Sequence, residues 1–127
     1  MKSPYCILMV EDVTELRALN AELLSRSGYR VDTAENAVLA WKALQSKRYD
    51  LLITDNNMPG VTGLDLIRQL RSEDMMLPVI LASGTAPAEE LEQNPWLAVS
   101  ALLPKPYTSD ELLKAVDEVL CKADAFH

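Results

Sequence analysis

Short continuous apolar runs alternate along this chain with stretches in which apolar residues recur every three or four positions. Tyr5-Cys-Ile-Leu-Met-Val10 is one such run, as expected of a strand covered on both faces in a parallel sheet. Val13, Leu16, Leu19, Leu23 and Leu24 then recur at helical spacing, and Gly28 supplies the stop. Tyr29, Val31 and Thr33 alternate with polar partners, which suits a half-exposed edge strand. Asn36 is placed to cap a second helix whose inner face would be Val38, Trp41 and Leu44. Leu51 to Ile53 is too short for a helix and predicts a buried strand ending on Asp55, with Met58-Pro59-Gly60 following as a turn signal.

The second half repeats the rhythm. Thr62 caps a third helix with Leu64, Ile67 and Leu70 inward, and Pro78 introduces a fourth strand, Val79 to Ala82, ending in Ser83-Gly84. Pro87 suits the first turn of a fourth helix. That helix is weak, because Ala88-Glu-Glu-Leu-Glu-Gln-Asn94 holds one large apolar residue before Pro95 closes it. Ala101 to Leu103 makes a short fifth strand ahead of Pro104-Lys105-Pro106. Thr108-Ser-Asp-Glu111 is a capping box opening a last helix with Leu112, Leu113, Val116, Val119 and Leu120 as its buried stripe. Strands alternating with helices across short loops imply an α/β fold: a parallel sheet with right-handed crossovers and helices on both faces.

Composition narrows the function classes. A chain of 127 residues is expected to form one domain that buries roughly two thirds of its unfolded surface. The net charge of −7 argues against nucleic acid and against an anionic membrane surface as direct ligands. No apolar run approaches the ~20 residues of a membrane span, and no secretory signal precedes Tyr5. Cys6 and Cys121 lack metal-ligand spacing and are expected to be two buried, reduced thiols of a cytoplasmic protein.

In sheets of this kind the working site lies at the carboxyl ends of the strands. The residues ending strands one, three, four and five are Glu11-Asp12, Asp55, Ser83 and Lys105. Each alone has a plain structural explanation: acids at a helix start, a strand stop, a turn serine, a solvated loop lysine. Together they deliver three carboxylates, a hydroxyl and an ammonium to one rim. Clustered carboxylates resist ionising unless a cation compensates. Mg²⁺ suits one or two carboxylates plus water and phosphate oxygens, with Asp12 and Asp55 as direct ligands and Glu11 acting through water. Asp55 then becomes a usable nucleophile toward an activated phosphoryl group, forming an acyl phosphate. Ser83 can donate to one phosphoryl oxygen and Lys105 can neutralise another.

Glu11-Asp12, Asp55 with Met58-Pro59-Gly60, Ser83 and Lys105-Pro106 resemble the response-regulator receiver domain, in the right order and over essentially the whole chain. The resemblance implies a flavodoxin-like doubly wound (βα)₅ fold, strand order 2-1-3-4-5, and a single receiver domain over residues 1–127 with no output domain. It implies that Asp55 accepts a phosphoryl group from a histidine kinase or histidine phosphotransfer protein. Asp12, Asp55 and the main-chain carbonyl of Asn57 would bind Mg²⁺, with Glu11 assisting, and Ser83 and Lys105 would contact the phosphoryl group. A cis Lys105–Pro106 bond is implied as well. One position departs from the family: the aromatic residue often found three places before the lysine is Leu102 here, so the aromatic half of the usual switch is missing from the fifth strand. The one histidine, His127, reads as a frayed terminus, so the phosphoryl donor is another protein.

The expected output is a population shift in the loop after Ser83, the weak fourth helix and the face it forms with the fifth strand and last helix, read by a downstream protein or fused effector. Enzymatic activity would be limited to self-phosphorylation and self-dephosphorylation. The competing readings are a degenerate receiver that binds partners without phosphorylation, a flavin or nucleotide carrier, and a metal-dependent phosphatase. The phosphate-cradling glycine loop that a nucleotide carrier needs is missing after the first strand, and the second acid that would help a phosphatase is replaced by Asn57. Pro95-Trp96-Leu97 and Leu102-Leu103-Pro104 look like receivers appended to hybrid kinases, with Trp96 either under the fourth helix or an exposed partner contact.

Overall fold

The structure, a computed structural model, describes residues 4–84 and 87–125. Five strands, β1 (Cys6–Val10), β2 (Arg30–Ala34), β3 (Leu51–Asp55), β4 (Val79–Ser83) and β5 (Ala101–Pro104), form one parallel sheet in the order β2-β1-β3-β4-β5. Helices α1 (Thr14–Arg26), α2 (Ala37–Ser46), α3 (Gly63–Ser72), α4 (Ala88–Gln93) and α5 (Ser109–Ala125) follow the strands in turn, and a 3₁₀ turn at Pro95–Leu97 separates α4 from β5. This is the flavodoxin-like (βα)₅ architecture expected from the residue pattern and the family resemblance.

Continuous apolar strands are explained by the two faces they serve. Leu8 and Val10 of β1 join Ala37, Ala40 and Leu44 of α2 and Leu64, Ile67 and Leu70 of α3 in one core. Ile7 and Met9, pointing the other way, join Leu24 of α1 and Leu112, Val116 and Leu120 of α5 in a second. The register pairs Val10 with Thr54, Asp55 with Ala82 and Ser83 with Pro104, so strands one, three, four and five end at nearly the same height.

Caps fall where the polar residues place them. Asn36 Oδ1 accepts from the Leu39 N–H at 2.8 Å, Thr62 and Asp65 form a reciprocal capping box, and Thr108 and Glu111 form another. Gly28, at φ +98°, ends α1 in the left-handed region. The Lys105–Pro106 bond is cis.

The helix stripes differ from the expectation in two places. Val13 and Leu19 are 48% and 59% exposed, and Asn20 is buried with Leu24. Val13 precedes the helix, whose buried positions are Asn20 and Leu24, one turn apart, with Leu23 packed in part against the same core as Leu24. In α2, Val38 is exposed and the buried row is Ala37, Ala40 and Leu44, whose two alanines let the helix backbone lie close to the strands. Two further expectations are settled by exposure. Cys121 faces outward on α5, one turn from Asp117, and Cys6 is only partly covered, so neither thiol is a core residue. Trp96 is half exposed, its indole N–H on Asn94 Oδ1 at 3.4 Å, and is not packed beneath α4. His127 lies outside the described residues. Among the described residues no helix is long and apolar enough to cross a membrane.

Candidate functional site

The carboxyl ends of the strands carry a cluster of acids around one ammonium. Glu11, Asp12 and Asp55 each place a carboxylate oxygen within 4.8 Å of the others, a hard-oxygen donor set fit for a divalent cation. Glu11 and Asp55 are 1% and 3% exposed, so water does little to relieve their mutual repulsion. Lys105 answers part of it: its Nζ lies 2.9 Å from Asp55 Oδ2 and 3.2 Å from Glu11 Oε1.

The charge balance is uneven, and the pKa directions record it. Burial, then the Asp55 charge and a hydrogen bond with Asp12, push Glu11 up to about 7, against the pull of the Val13 N–H and of Lys105. Burial acts to lower the Lys105 pKa, but its hydrogen bond and ion pair with Asp55, reinforced by Glu11, outweigh that and hold it above the ordinary lysine value. Three carboxylates against one ammonium leave a surplus of negative charge. A proton on Glu11 relieves part of it, and a divalent cation would balance it.

Backbone and side-chain contacts aim these groups. The Asn57 N–H donates to Asp55 Oδ1 at 2.9 Å, leaving Oδ2 to Lys105. Asn56 Oδ1 accepts from the Leu64 N–H at 3.0 Å, tying the loop after β3 to the first turn of α3. Asn57 Oδ1 accepts from the Gly84 N–H at 2.9 Å, joining that loop to the end of β4. Ser83 is buried one residue beyond Ala82, the ladder neighbour of Asp55, and its carbonyl accepts from the Lys105 N–H at 2.9 Å. Glu11, Asp12 and Asp55 are thus brought together, with Lys105 on Glu11 and Asp55, while Ser83 ends the adjoining strand and Asn57 lies in the loop after β3.

Four supporting residues escape a reading of periodicity. Gly63 packs so tightly on the loop that an added Cβ would stand 2.6 Å from the Asp55 carbonyl oxygen. Arg17 donates through Nη1 to the Glu11 carbonyl at 2.8 Å. Asn20 and Tyr107 hydrogen-bond across the chain. Glycine before a helix is a weak signal, and partners far apart in sequence give none.

A family model described as the response regulator receiver domain matches residues 7–117. The chemotaxis protein CheY of Pseudomonas aeruginosa is 30% identical over 116 residues, covering 89% of this chain and 94% of that protein. The sensor protein EvgS of Escherichia coli is 38% identical over 106 residues, 84% of this chain but 9% of that much longer protein. Among solved structures, the response regulator TrrA of Thermotoga maritima, in complex with Mg²⁺-BeF, superposes with a TM-score of 0.79 at 31% identity, covering 91% of this chain and 98% of that one. A CheY-like receiver from Methanospirillum hungatei shares the fold at a TM-score of 0.90 and 22% identity, over 98% of this chain and 100% of its own. Strand order, the acid cluster with its lysine and these matches have one conclusion: the chain belongs to the response regulator receiver domain family.

Proposed function

We propose that residues 1–127 form one receiver domain of a two-component or phosphorelay system, in which Asp55 accepts a phosphoryl group from a phosphohistidine donor. The observation that carries this reading is the buried Asp55 carboxylate held by Lys105, which pairs at the same time with Glu11. In the transfer a carboxylate oxygen of Asp55 bonds to phosphorus as the bond from phosphorus to the donor imidazole nitrogen breaks, and the imidazole leaves to take up a proton. Asp12, Asp55 and the Asn57 carbonyl would hold Mg²⁺, with Glu11 assisting through water. When bound, the ion supplies the positive charge that the cluster lacks and a contact for phosphoryl oxygens. Lys105 neutralises a second oxygen and Ser83 donates to a third.

The donor is a histidine kinase or phosphotransfer protein, and the setting is cytoplasmic. Neither nucleic acid nor membrane is a ligand of this domain. Intrinsic activity is limited to self-phosphorylation and self-dephosphorylation. Phosphorylation shifts the loop after Ser83, α4 and the α4-β5-α5 face. Support comes from α4 itself, which has six residues, no side-chain cap and, as its one large apolar residue, a half-buried Leu91.

Mg²⁺-dependent labelling by acetyl phosphate tests the assignment: the chain is expected to be labelled and Asp55→Asn not. Beryllofluoride, the phosphoryl mimic bound with Mg²⁺ to TrrA, is expected to change amide exchange within residues 84–100. A second reading, a receiver that signals without phosphorylation, is favoured by Leu102, which stands where the family often has an aromatic switch and is 42% exposed. Absence of labelling with native-like folding would establish it.

A further inference from the structure

A buried position of α1 carries an amide where an amphipathic helix ordinarily carries leucine. Asn20 is 4% exposed, and a buried amide is tolerated only with a partner. Its Nδ2 donates to the Tyr107 hydroxyl at 2.7 Å, short for such a bond, across 87 positions of sequence. Tyr107 stands two residues beyond Lys105, with only Pro106 between them. Lys105 is fixed on its other side, where its N–H meets the Ser83 carbonyl. The arm that carries the ammonium is therefore anchored to β4 at one end and to α1 at the other.

The same helix braces the acid. Arg17, three positions before Asn20 and so on the same side of α1, holds the Glu11 carbonyl at 2.8 Å. Since Lys105 Nζ reaches Glu11 and Asp55, the contacts close a ring: α1, Glu11, Lys105, Tyr107 and back to α1. The Tyr107 hydroxyl feels the site directly. Burial first, then opposing contributions from Asn20, Glu11, Lys105 and Asp55, sum to a raised pKa that keeps it protonated. A lysine has a long flexible stem, so the placement of its backbone decides which oxygens it reaches. Proline restricts the link at 106, so a shift of Tyr107 passes on to Lys105.

We propose that Asn20 is a positioning residue for Lys105, acting through Tyr107 to set the ammonium on Asp55 and on the incoming phosphoryl group. The inference rests on the phosphoacceptor reading of the site. Asn20→Leu, Tyr107→Phe and the double variant of the full chain test it, with Mg²⁺ alone and Mg²⁺ plus beryllofluoride as probes in calorimetric titration. In the proposed site Lys105 touches the phosphoryl mimic and not the metal. Each single variant is expected to weaken beryllofluoride binding about fivefold, the equivalent of one lost hydrogen bond, with no further loss in the double and Mg²⁺ affinity unchanged. Parallel loss of both affinities would mean general loosening and overturns the proposal, as does unchanged beryllofluoride binding. The Lys105 side-chain ¹³Cε resonance, read without ligand, is expected to move in both single variants. If the parent chain binds no beryllofluoride, the phosphoacceptor reading fails, and that resonance decides the role of Asn20 alone: movement sustains it and constancy overturns it.

Discussion

Helices α3 and α4 follow neighbouring strands of the same sheet, yet they are held very differently. α3 is ten residues long, opens on the Thr62–Asp65 capping box and buries Gly63, Leu64, Leu66, Ile67, Leu70 and Arg71. The Arg71 guanidinium lies in the interior with no carboxylate partner among the described residues, donating instead to the carbonyls of Leu97, Met75 and Ala98. α4 has six residues and no side-chain cap, with Glu89 and Glu90 exposed in its first turn. An exposed ion pair, Arg68–Glu90 at 2.8 Å, links it to α3, and Leu91 packs in part on the core that α3 shares. The lesson is a division of labour by stability. The β3–α3 flank, which must keep like charges together, is over-determined, and the β4–α4 flank is lightly anchored.

The largest effect is expected at the tight end of this contrast. Gly63→Ala sets a Cβ 2.6 Å from the Asp55 carbonyl and 3.1 Å from Asn56 Cα, both backbone atoms, and should destabilise the fold by about 3 kcal/mol in urea unfolding. The exposed change Glu92→Ala in α4 should stay within about 0.5 kcal/mol. Comparable losses in the two would erase the distinction.

The acid flank should also announce itself in pH. Glu11 is raised to about 7 from 4.5, so the folded metal-free protein holds a proton that the unfolded chain releases in that window. Its contribution is present in full below pH 4.5 and is lost as pH rises through about 7, with a slope of at most about 1.4 kcal/mol per pH unit. Subtracting the stability curve of Glu11→Gln isolates it. A flat difference curve from pH 4.5 to 7 would remove the claim of surplus negative charge.

Smaller effects sharpen the comparison. Thr62→Ala removes the α3 cap and should cost about 1 kcal/mol, measured by thermal or urea unfolding. Glu90→Gln weakens the Arg68 pair and should change global stability by less than about 0.5 kcal/mol while speeding amide exchange within α4. Global destabilisation as large as that of Thr62→Ala would show α4 to be better anchored than its contacts imply.

The strand ends and caps were legible because their signals are local. A buried parallel strand needs an unbroken apolar run, a run ends where a polar residue begins, and Asp55, Ser83 and Lys105 stand at such ends. Asn36, Thr62 and Thr108 each announce a helix within four residues. The inward faces of α1 and α2 were less legible, because both helices carry apolar residues on more than one side. Leu19 and Val38 look as core-like as Leu24 and Leu44, and only docking on the sheet separates them.

Composition and pattern alone determined the βα order of this chain, the rim on which its chemistry is gathered and the kinds of groups found there, since each depends on interactions within a few residues. Tertiary structure alone decided that Lys105 spans Asp55 and Glu11, that Asn20 takes a core position from a leucine, that Arg71 finds carbonyls in place of an acid, and that neither thiol is a core residue. Apart from the Arg71 bond to Met75, the contacts of Lys105, Asn20 and Arg71 join partners from 26 to 94 positions apart, which meet only after the sheet has assembled and closed its two faces.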